Sequence, residues 1–305
     1  MKTHWSAYLT LSVVHFMAYP DTMKGEGPIL ETVEKIAQDE FFSGIEIGWI
    51  KDPAVRKQVK AVLQASHLPA AFGAQPALLT QKLDLNSADP GMRSRAVAAL
   101  KACIDEAAEL EITRLATLSG WDPGDDLRPQ GKDWLYESLC QVCEYGRSRG
   151  VGITLETFDR FVDKKAIIGP ATEAAEFAAR MKRNFPDFGL MYDLSHLPLL
   201  DEQVLPALYA VKDHLVHAHV GNCVKVPGRQ GYGDQHPAFG FHGGENDVAE
   251  LVDFLRGLFA VGYLKRHPDG KKPWVGIEVK PQPGETSEQL LAGTKRVWIE
   301  AWARV

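Results

Sequence analysis

Apolar residues along the chain gather into short runs that alternate with longer stretches of mixed polarity. The short runs suit buried strands, and the mixed stretches carry apolar residues at helical spacing. Strands are predicted at residues 11–18, 42–50, 68–75 and 113–119 and within the stretch 152–159, then in runs ending at Asp193 and His219, and at 274–279. Helices are predicted at residues 29–39, 53–66, 89–109, 132–149, 172–184, 201–212, 248–259 and 287–302. Pro90 suits a first helical turn, and Gly150 suits the residue after a last one. Eight strand-then-helix units favour a parallel sheet, and that number favours its closure. The expected fold is therefore a (β/α)8 TIM barrel of one domain, residues 1–305, with an enlarged loop after strand seven. An open doubly wound sheet would carry a glycine-rich phosphate turn after its first strand. Here Lys24-Gly25-Glu26-Gly27-Pro28 lacks the spacing and puts a proline where such a cradle needs an N–H.

Two connections are long: residues 120–131 after strand four and 223–246 after strand seven. In a barrel both lie on the C-terminal face, where active sites form. The second carries Lys225, Arg229, Tyr232, Asp234, His236 and His242. A formal net charge of −6 gives no basic footprint for nucleic acid and no polybasic membrane patch. The opening Met1-Lys2-Thr3-His4-Trp5-Ser6 has no signal architecture, and no apolar run approaches membrane-spanning length, so a cytoplasmic protein is expected. The four cysteines include Cys140 and Cys143 on one predicted helix face; with no second pair, they read as buried core together with Cys103 and Cys223.

Chemistry concentrates at four strand ends. Strand five ends in Glu156, strand six in Asp193, strand seven in His219 and strand eight in Glu278. A single acid there usually caps a helix or pairs at the surface, and a single histidine is usually structural. Four donors on consecutive strands read instead as one divalent-metal site. This oxygen-rich set with one imidazole suits manganese first, then magnesium or cobalt, with zinc still open; structural zinc sites favour thiolates. Such a cation polarises a substrate carbonyl, so that Glu156 and Glu278 can remove and return a proton at the adjacent carbon. By strand alternation, His217 shares a face with His219, and Lys280 with Glu278. An inward-facing lysine is costly unless paired. These two, with His196 on the rim and Lys225 and Arg229 in the long loop, are candidate substrate contacts. Asp159 and Arg160 fit either a rim ion pair or a substrate contact. Trp49, Phe72, Trp121 and Phe239 read as packing residues that could stack on a sugar near the mouth.

These motifs resemble the xylose isomerase-like barrel superfamily, which contains sugar isomerases and ketose 3-epimerases. The resemblance rests on Glu156-Thr157-Phe158-Asp159-Arg160-Phe161, Asp193-Leu194-Ser195-His196, His217-Ala218-His219-Val220-Gly221 and Gly243-Gly244-Glu245-Asn246-Asp247. It implies that Glu156, Asp193, His219 and Glu278 bind the metal, that Glu156 and Glu278 are the acid/base pair, and that His196 contacts a substrate oxygen. The chain departs from the epimerases in three places: Lys225 stands where they carry an arginine, Val162 where they carry a glutamate, and the loop after strand seven is longer.

The same superfamily supplies a second expectation, a lyase acting on 3-keto-glycosides by β-elimination and similar to the barrel subunit of C-glycoside deglycosidases. The partner is then a small β-rich subunit; otherwise a homo-oligomer is expected. An apurinic endonuclease group is similar at Asp193/His196 and Asp234-Gln235-His236. It also needs histidines on strands three and four, and residues 69–75 and 114–120 contain none. A non-catalytic sugar-binding barrel would be expected to lose ligand residues, and all four are present.

Overall fold

The computed structural model describes residues 3–266 and 270–305. Met1 and Lys2, which open the segment read for a leader, lie outside the described residues. Eight parallel strands close on themselves in chain order. They are β1 (Thr10–Val14), β2 (Gly44–Ile47), β3 (Ala70–Gly73), β4 (Arg114–Leu118), β5 (Gly152–Glu156), β6 (Gly189–Asp193), β7 (Leu215–Val220) and β8 (Trp274–Ile277). The helices around them are α1 (His15–Ala18), α2 (Ile29–Ala37), α3 (Pro53–Ala65), α4 (Gln75–Thr80), α5 (Pro90–Glu109), α6 (Arg128–Arg149), α7 (Ala171–Lys182), α8 (His196–Leu199), α9 (Val204–Val211), α10 (Val248–Ala260) and α11 (Ser287–Arg304).

Strand alternation decides what faces the barrel axis. Leu11, Val13, Ile45, Ile47, Ile153, Leu155, Leu190, Tyr192, Ala218, Val220, Val275 and Ile277 have one parity and are buried with the helical layer. The other parity carries Ser12, Glu46, Glu156, Asp193, His217 and His219. Ser12 on β1 donates to Glu46 on β2 at 2.7 Å, and both His217 and His219 on β7 reach the same carboxylate. Side chains from three strands can meet in this way only inside the barrel. β8 places Gly276 opposite both Ser12 and His219. A Cβ there would stand 2.1 Å from Glu46 Oε1 and 2.7 Å from His219, so the missing side chain makes room for this buried pair.

Helix ends follow local chemistry. Asp89 accepts from the Gly91 amide at 2.8 Å before α5, Thr286 and Gln289 form a capping box on α11, and Gly150 ends α6 at φ 74°. The predicted strand 11–18 stops at Val14, and its second half is α1. The predicted strand 68–75 shortens to β3, with α4 directly after it, and α8 follows β6; the pattern showed neither helix. α6 begins at Arg128, inside the predicted loop 120–131, and α9 begins at Val204 rather than 201. No described helix is long and apolar enough to cross a membrane. All four cysteines are free; Cys103, Cys143 and Cys223 are buried and Cys140 is half-buried.

Candidate metal centre and cavity

At the C-terminal mouth, one donor atom from each of Glu156, Asp193, His219 and Glu278 lies within 4.8 Å of the others. An octahedral divalent ion with ligands at about 2.1 Å spans about 4.2 Å between opposite donors, so the set is the right size. Its hydrogen bonding points the same way. Glu156 Oε1 and Asp193 Oδ2 are buried oxygens with no hydrogen-bond partner. A buried carboxylate oxygen without a donor is costly, and a cation would satisfy both. His219 Nδ1 meets Glu278 Oε2 at 2.7 Å and Glu156 Oε1 at 3.5 Å. The four side chains therefore fit a divalent cation.

The surrounding groups fix these donors. A carboxylate only accepts, so His219 donates through Nε2–H to Glu46 Oε2 at 2.9 Å and through Nδ1–H to Glu278 Oε2 at 2.7 Å; a cation would take the place of the Nδ1 proton. His217 donates from below to Glu46 Oε1 at 3.0 Å. Burial opposes the Glu46 charge, but His217 and His219 hold its pKa well below the usual range. Burial likewise opposes charge on His219, and Glu46 and Glu278 outweigh it, pushing the pKa well above the ordinary value. Gln75 on α4 donates to Glu156 Oε2 at 2.6 Å. The Ser195 amide donates to Asp193 Oδ1 at 2.7 Å.

The loop after β7 closes one side. Asp234 Oδ1 accepts from His196 at 3.1 Å and from His236 at 2.9 Å, and its Oδ2 pairs with Lys164 at 3.0 Å. One buried carboxylate thus joins the loops after β5, β6 and β7. Burial opposes charge on both imidazoles, yet Asp234 pushes His196 up to about 10, and Glu278 with Asp234 pushes His236 up to about 9. His236 Nε2 lies 3.6 Å from Glu278 Oε1. Asp193, His196 and His236 form a second close group of donors.

A cavity of about 140 Å³ opens above this floor. Glu156, His219, Glu278, Gln75, His236, Lys164 and Lys280 line its polar part, and Phe16, Met17, Met23, Pro76, Leu79 and Phe158 line the rest. A larger open groove of about 740 Å³ lies between α9 and α10, away from the buried donors.

The sequence-predicted residues divide accordingly. Glu156, Asp193, His219 and Glu278 come together, and Lys280 borders the cavity. His217 sits beneath Glu46, with its ring centroid 5.8 Å from that of Trp274, and does not line the cavity. His196 is buried against the Phe158 ring and bound to Asp234 rather than lining the space. Lys225 is drawn outward into an ion pair with Asp201 and borders the outer groove, and Arg229 is exposed on the loop. Neither of the latter two borders the cavity in this structure. Arg160 forms the rim ion pair, reaching Glu173 at 2.6 Å, and Asp159 accepts from the amides of Val162, Asp163 and Lys164. Trp121 is exposed off the cavity, whose aromatic rings are Phe16 and Phe158.

Glu46, Gln75 and Lys164 were not among the candidates, and Asp234 and His236 entered only as members of the long loop and through the endonuclease likeness. Glu46 did leave a signal, a lone charge inside Gly44-Ile45-Glu46-Ile47-Gly48. Gln75 and Lys164 left none, because their roles depend on where two loops fold.

A family model of the xylose isomerase-like TIM barrel matches residues 34–293. No curated protein matches the sequence. Among solved structures, a D-psicose 3-epimerase from Clostridium cellulolyticum H10, solved with D-tagatose, aligns at TM-score 0.66 and 20% identity over 97% of this chain and 96% of the other. A D-tagatose 3-epimerase-like protein aligns at TM-score 0.73 and 16% identity over 97% and 98%. A 3-keto-D-glucoside 4-epimerase from E. coli aligns at 0.66 and 15% over 97% and 99%. At these identities the structural likeness speaks for the fold alone, while the family model spans most of the sequence; the chain belongs to the xylose isomerase-like TIM barrel family.

Proposed function

We propose that this chain is a divalent-cation-dependent carbohydrate enzyme that moves a proton at a carbon next to a carbonyl, with isomerisation or epimerisation as the net reaction. The observation that carries this reading is the pairing of two glutamates at one buried donor set, each with an oxygen to spare. Glu156, Asp193, His219 and Glu278 would hold the cation, manganese being the first choice. Bound there, it would polarise the substrate carbonyl and so acidify the neighbouring C–H.

The side chains supply the rest. Glu156 would give Oε1, free of hydrogen bonds, to the cation, while Gln75 fixes Oε2 in direction and leaves it a second lone pair to take the proton. Glu278 comes from the adjoining side of the donor set, with Oε1 near His236, and returns a proton at the other carbon or face. Lys280 and Lys164 present cationic groups that orient substrate oxygens. The epimerases among the structural relatives support a sugar as substrate.

A lyase is the second reading. Elimination begins with the same proton abstraction and ends with loss of the substituent on the next carbon. Lys280 makes no ion pair among the described residues and borders the cavity beside Glu278, where it could protonate a departing oxygen. Incubation of the manganese-loaded protein with ketoses and 3-keto-glycosides in deuterium oxide, followed by NMR, tests both. Deuterium in recovered or rearranged sugar is expected. Loss of the C1 substituent would establish the lyase. Glu156→Gln should slow exchange by about 10²–10⁴-fold, and unchanged exchange in this variant would remove Glu156 as the base.

A further inference from the structure

The cavity continues outward. Gln235 and Lys280 line both the cavity of about 140 Å³ and a second, open groove of about 700 Å³. This groove runs from Pro20 and Asp21, just after α1, along residues 281–286 behind β8, to Ser287 and Glu288 at the start of α11. The groove between α9 and α10 shares no described residue with the cavity. We propose that the groove behind β8 is a subsite for an uncharged, polyhydroxylated unit joined to the reacting sugar, so that the substrate is a ketose carrying a second sugar rather than a free monosaccharide. The inference rests on the isomerase or epimerase reading of the inner site.

Three observations carry it. The first is size. Sites for small ligands commonly measure about 300–1,000 Å³. The inner cavity alone falls below that range and enters it only together with the groove. The inner part then holds the reacting unit, and the rest of the ligand passes Gln235 and Lys280 on its way out. The second is chemical. The groove offers the Asp21 and Glu285 carboxylates as acceptors, the Lys280 ammonium and the Gln235 amide as donors, and a Ser287 hydroxyl that does both. Sugar hydroxyls donate and accept, and so match this mixture. A phosphate would be repelled by the two acids, and a cation would meet Lys280 at the junction. An apolar group would strip water from all of these groups and replace none of it. The third is that the walls are already built. Gln282 is buried, and its side-chain amide donates to the Gln235 carbonyl at 3.4 Å and to the Lys280 carbonyl at 3.3 Å. This ties the loop after β7 to the loop after β8 where cavity and groove meet. The Lys280 amide adds a bond to the His236 carbonyl at 2.7 Å. Beyond it, the Gln282 amide donates to Glu285 Oε2 at 2.8 Å, and the Glu285 amide donates back to the Gln282 carbonyl at 2.9 Å. Pro20, Pro281 and Pro283 fix the backbone along the groove. A wall held in this way loses little freedom when a ligand binds.

The test is equilibrium binding, which needs no turnover. Turanose, maltulose and isomaltulose, which carry a glucosyl unit on different hydroxyls of D-fructose, are titrated into the manganese-loaded protein by calorimetry. D-fructose, D-psicose and fructoses O-methylated at the same hydroxyls serve as the comparison. With two or three added hydrogen bonds of ordinary net strength, at least one disaccharide should bind about tenfold or more tightly than D-fructose. The O-methyl sugars should show none of this gain. Asp21→Ala, which removes an acceptor, and Ser287→Phe, which fills the groove, should each bring the ratio toward one. Disaccharides that bind no more tightly than D-fructose would overturn the proposal. So would an equal gain from the methyl group, or a ratio that both variants leave unchanged. Deuterium exchange, measured separately, tells the two readings apart. Disaccharide preference without exchange keeps the outer subsite and removes the reaction; exchange without that preference does the reverse.

Discussion

Glu46 shows how much of a candidate metal centre lies outside the side chains that would hold the ion. Its carboxylate accepts from Ser12, His217 and His219, all at 3.0 Å or less, and is buried. The bond from His219 sets which imidazole nitrogen is left for a cation and makes that nitrogen more basic. Glu46→Gln keeps the shape but turns an amide N–H₂ toward one of two imidazole N–H groups. Manganese affinity, followed by titration calorimetry, should fall by about 10–100-fold; an unchanged affinity would show that His219 does not bind the ion through Nδ1. The four donors were readable in the sequence because each ends an apolar run, where a charge is conspicuous. The directions of Lys225 and Arg229 were not readable, because a charge in a loop has no period to say which way it points. Lys225 has a nearby outward partner in Asp201 and takes it.

The same division holds for elements. Strands and long helices carry enough residues for a period to show, and all eight units were legible. α1, α4 and α8 have four to six residues, barely one turn, so no amphipathic period could reveal them. Two of them line the cavity, α1 with Phe16 and Met17 and α4 with Gln75 and Leu79. α1 also begins with a buried titratable group. His15 donates through Nε2 to Thr32 Oγ1 at 2.7 Å, and that hydroxyl donates onward to the Pro28 carbonyl. Burial drives the His15 pKa from 6.5 down to about 3. The folded chain therefore resists a proton that the unfolded chain accepts. His15 contributes stability above pH 6.5, and the contribution is lost progressively as pH falls from 6.5 toward 3. Thermal melts of the wild type across this range should slope downward toward acid, and His15→Leu should flatten part of that slope. An identical slope would mean that other groups account for the acid sensitivity.

At the scale of the molecule, closure was predictable from the count of units, but the cost of building the site was not. The barrel brings Glu46, Glu156, Asp193 and Glu278 to one buried mouth, with the apolar layers packed around it. Such convergence of acids opposes folding on its own, since carboxylate oxygens without donors are unfavourable inside a protein. A cation that bound only the folded barrel would offset this, with a gain set by mass action. At free manganese near 100 times its Kd the stabilisation is about 2.7 kcal/mol, roughly 4 °C in Tm for a chain of this size. Chelation should remove that gain. Asp193→Asn separates the two sides of the balance. Its side-chain oxygen can still accept from the Ser195 amide, as Asp193 Oδ1 does at 2.7 Å, while the unpartnered charge is gone. Without metal the variant should melt at or above the wild type, and with saturating manganese it should gain much less. If both proteins gain equally, the ion sits elsewhere, and the group formed by Glu46, His217 and His219 becomes the place to look. If the metal-free variant melts well below the wild type, Asp193 is held by folding rather than kept for a ligand. The expected crossing of the two melting curves is the signature of a site retained for binding at the expense of the empty fold.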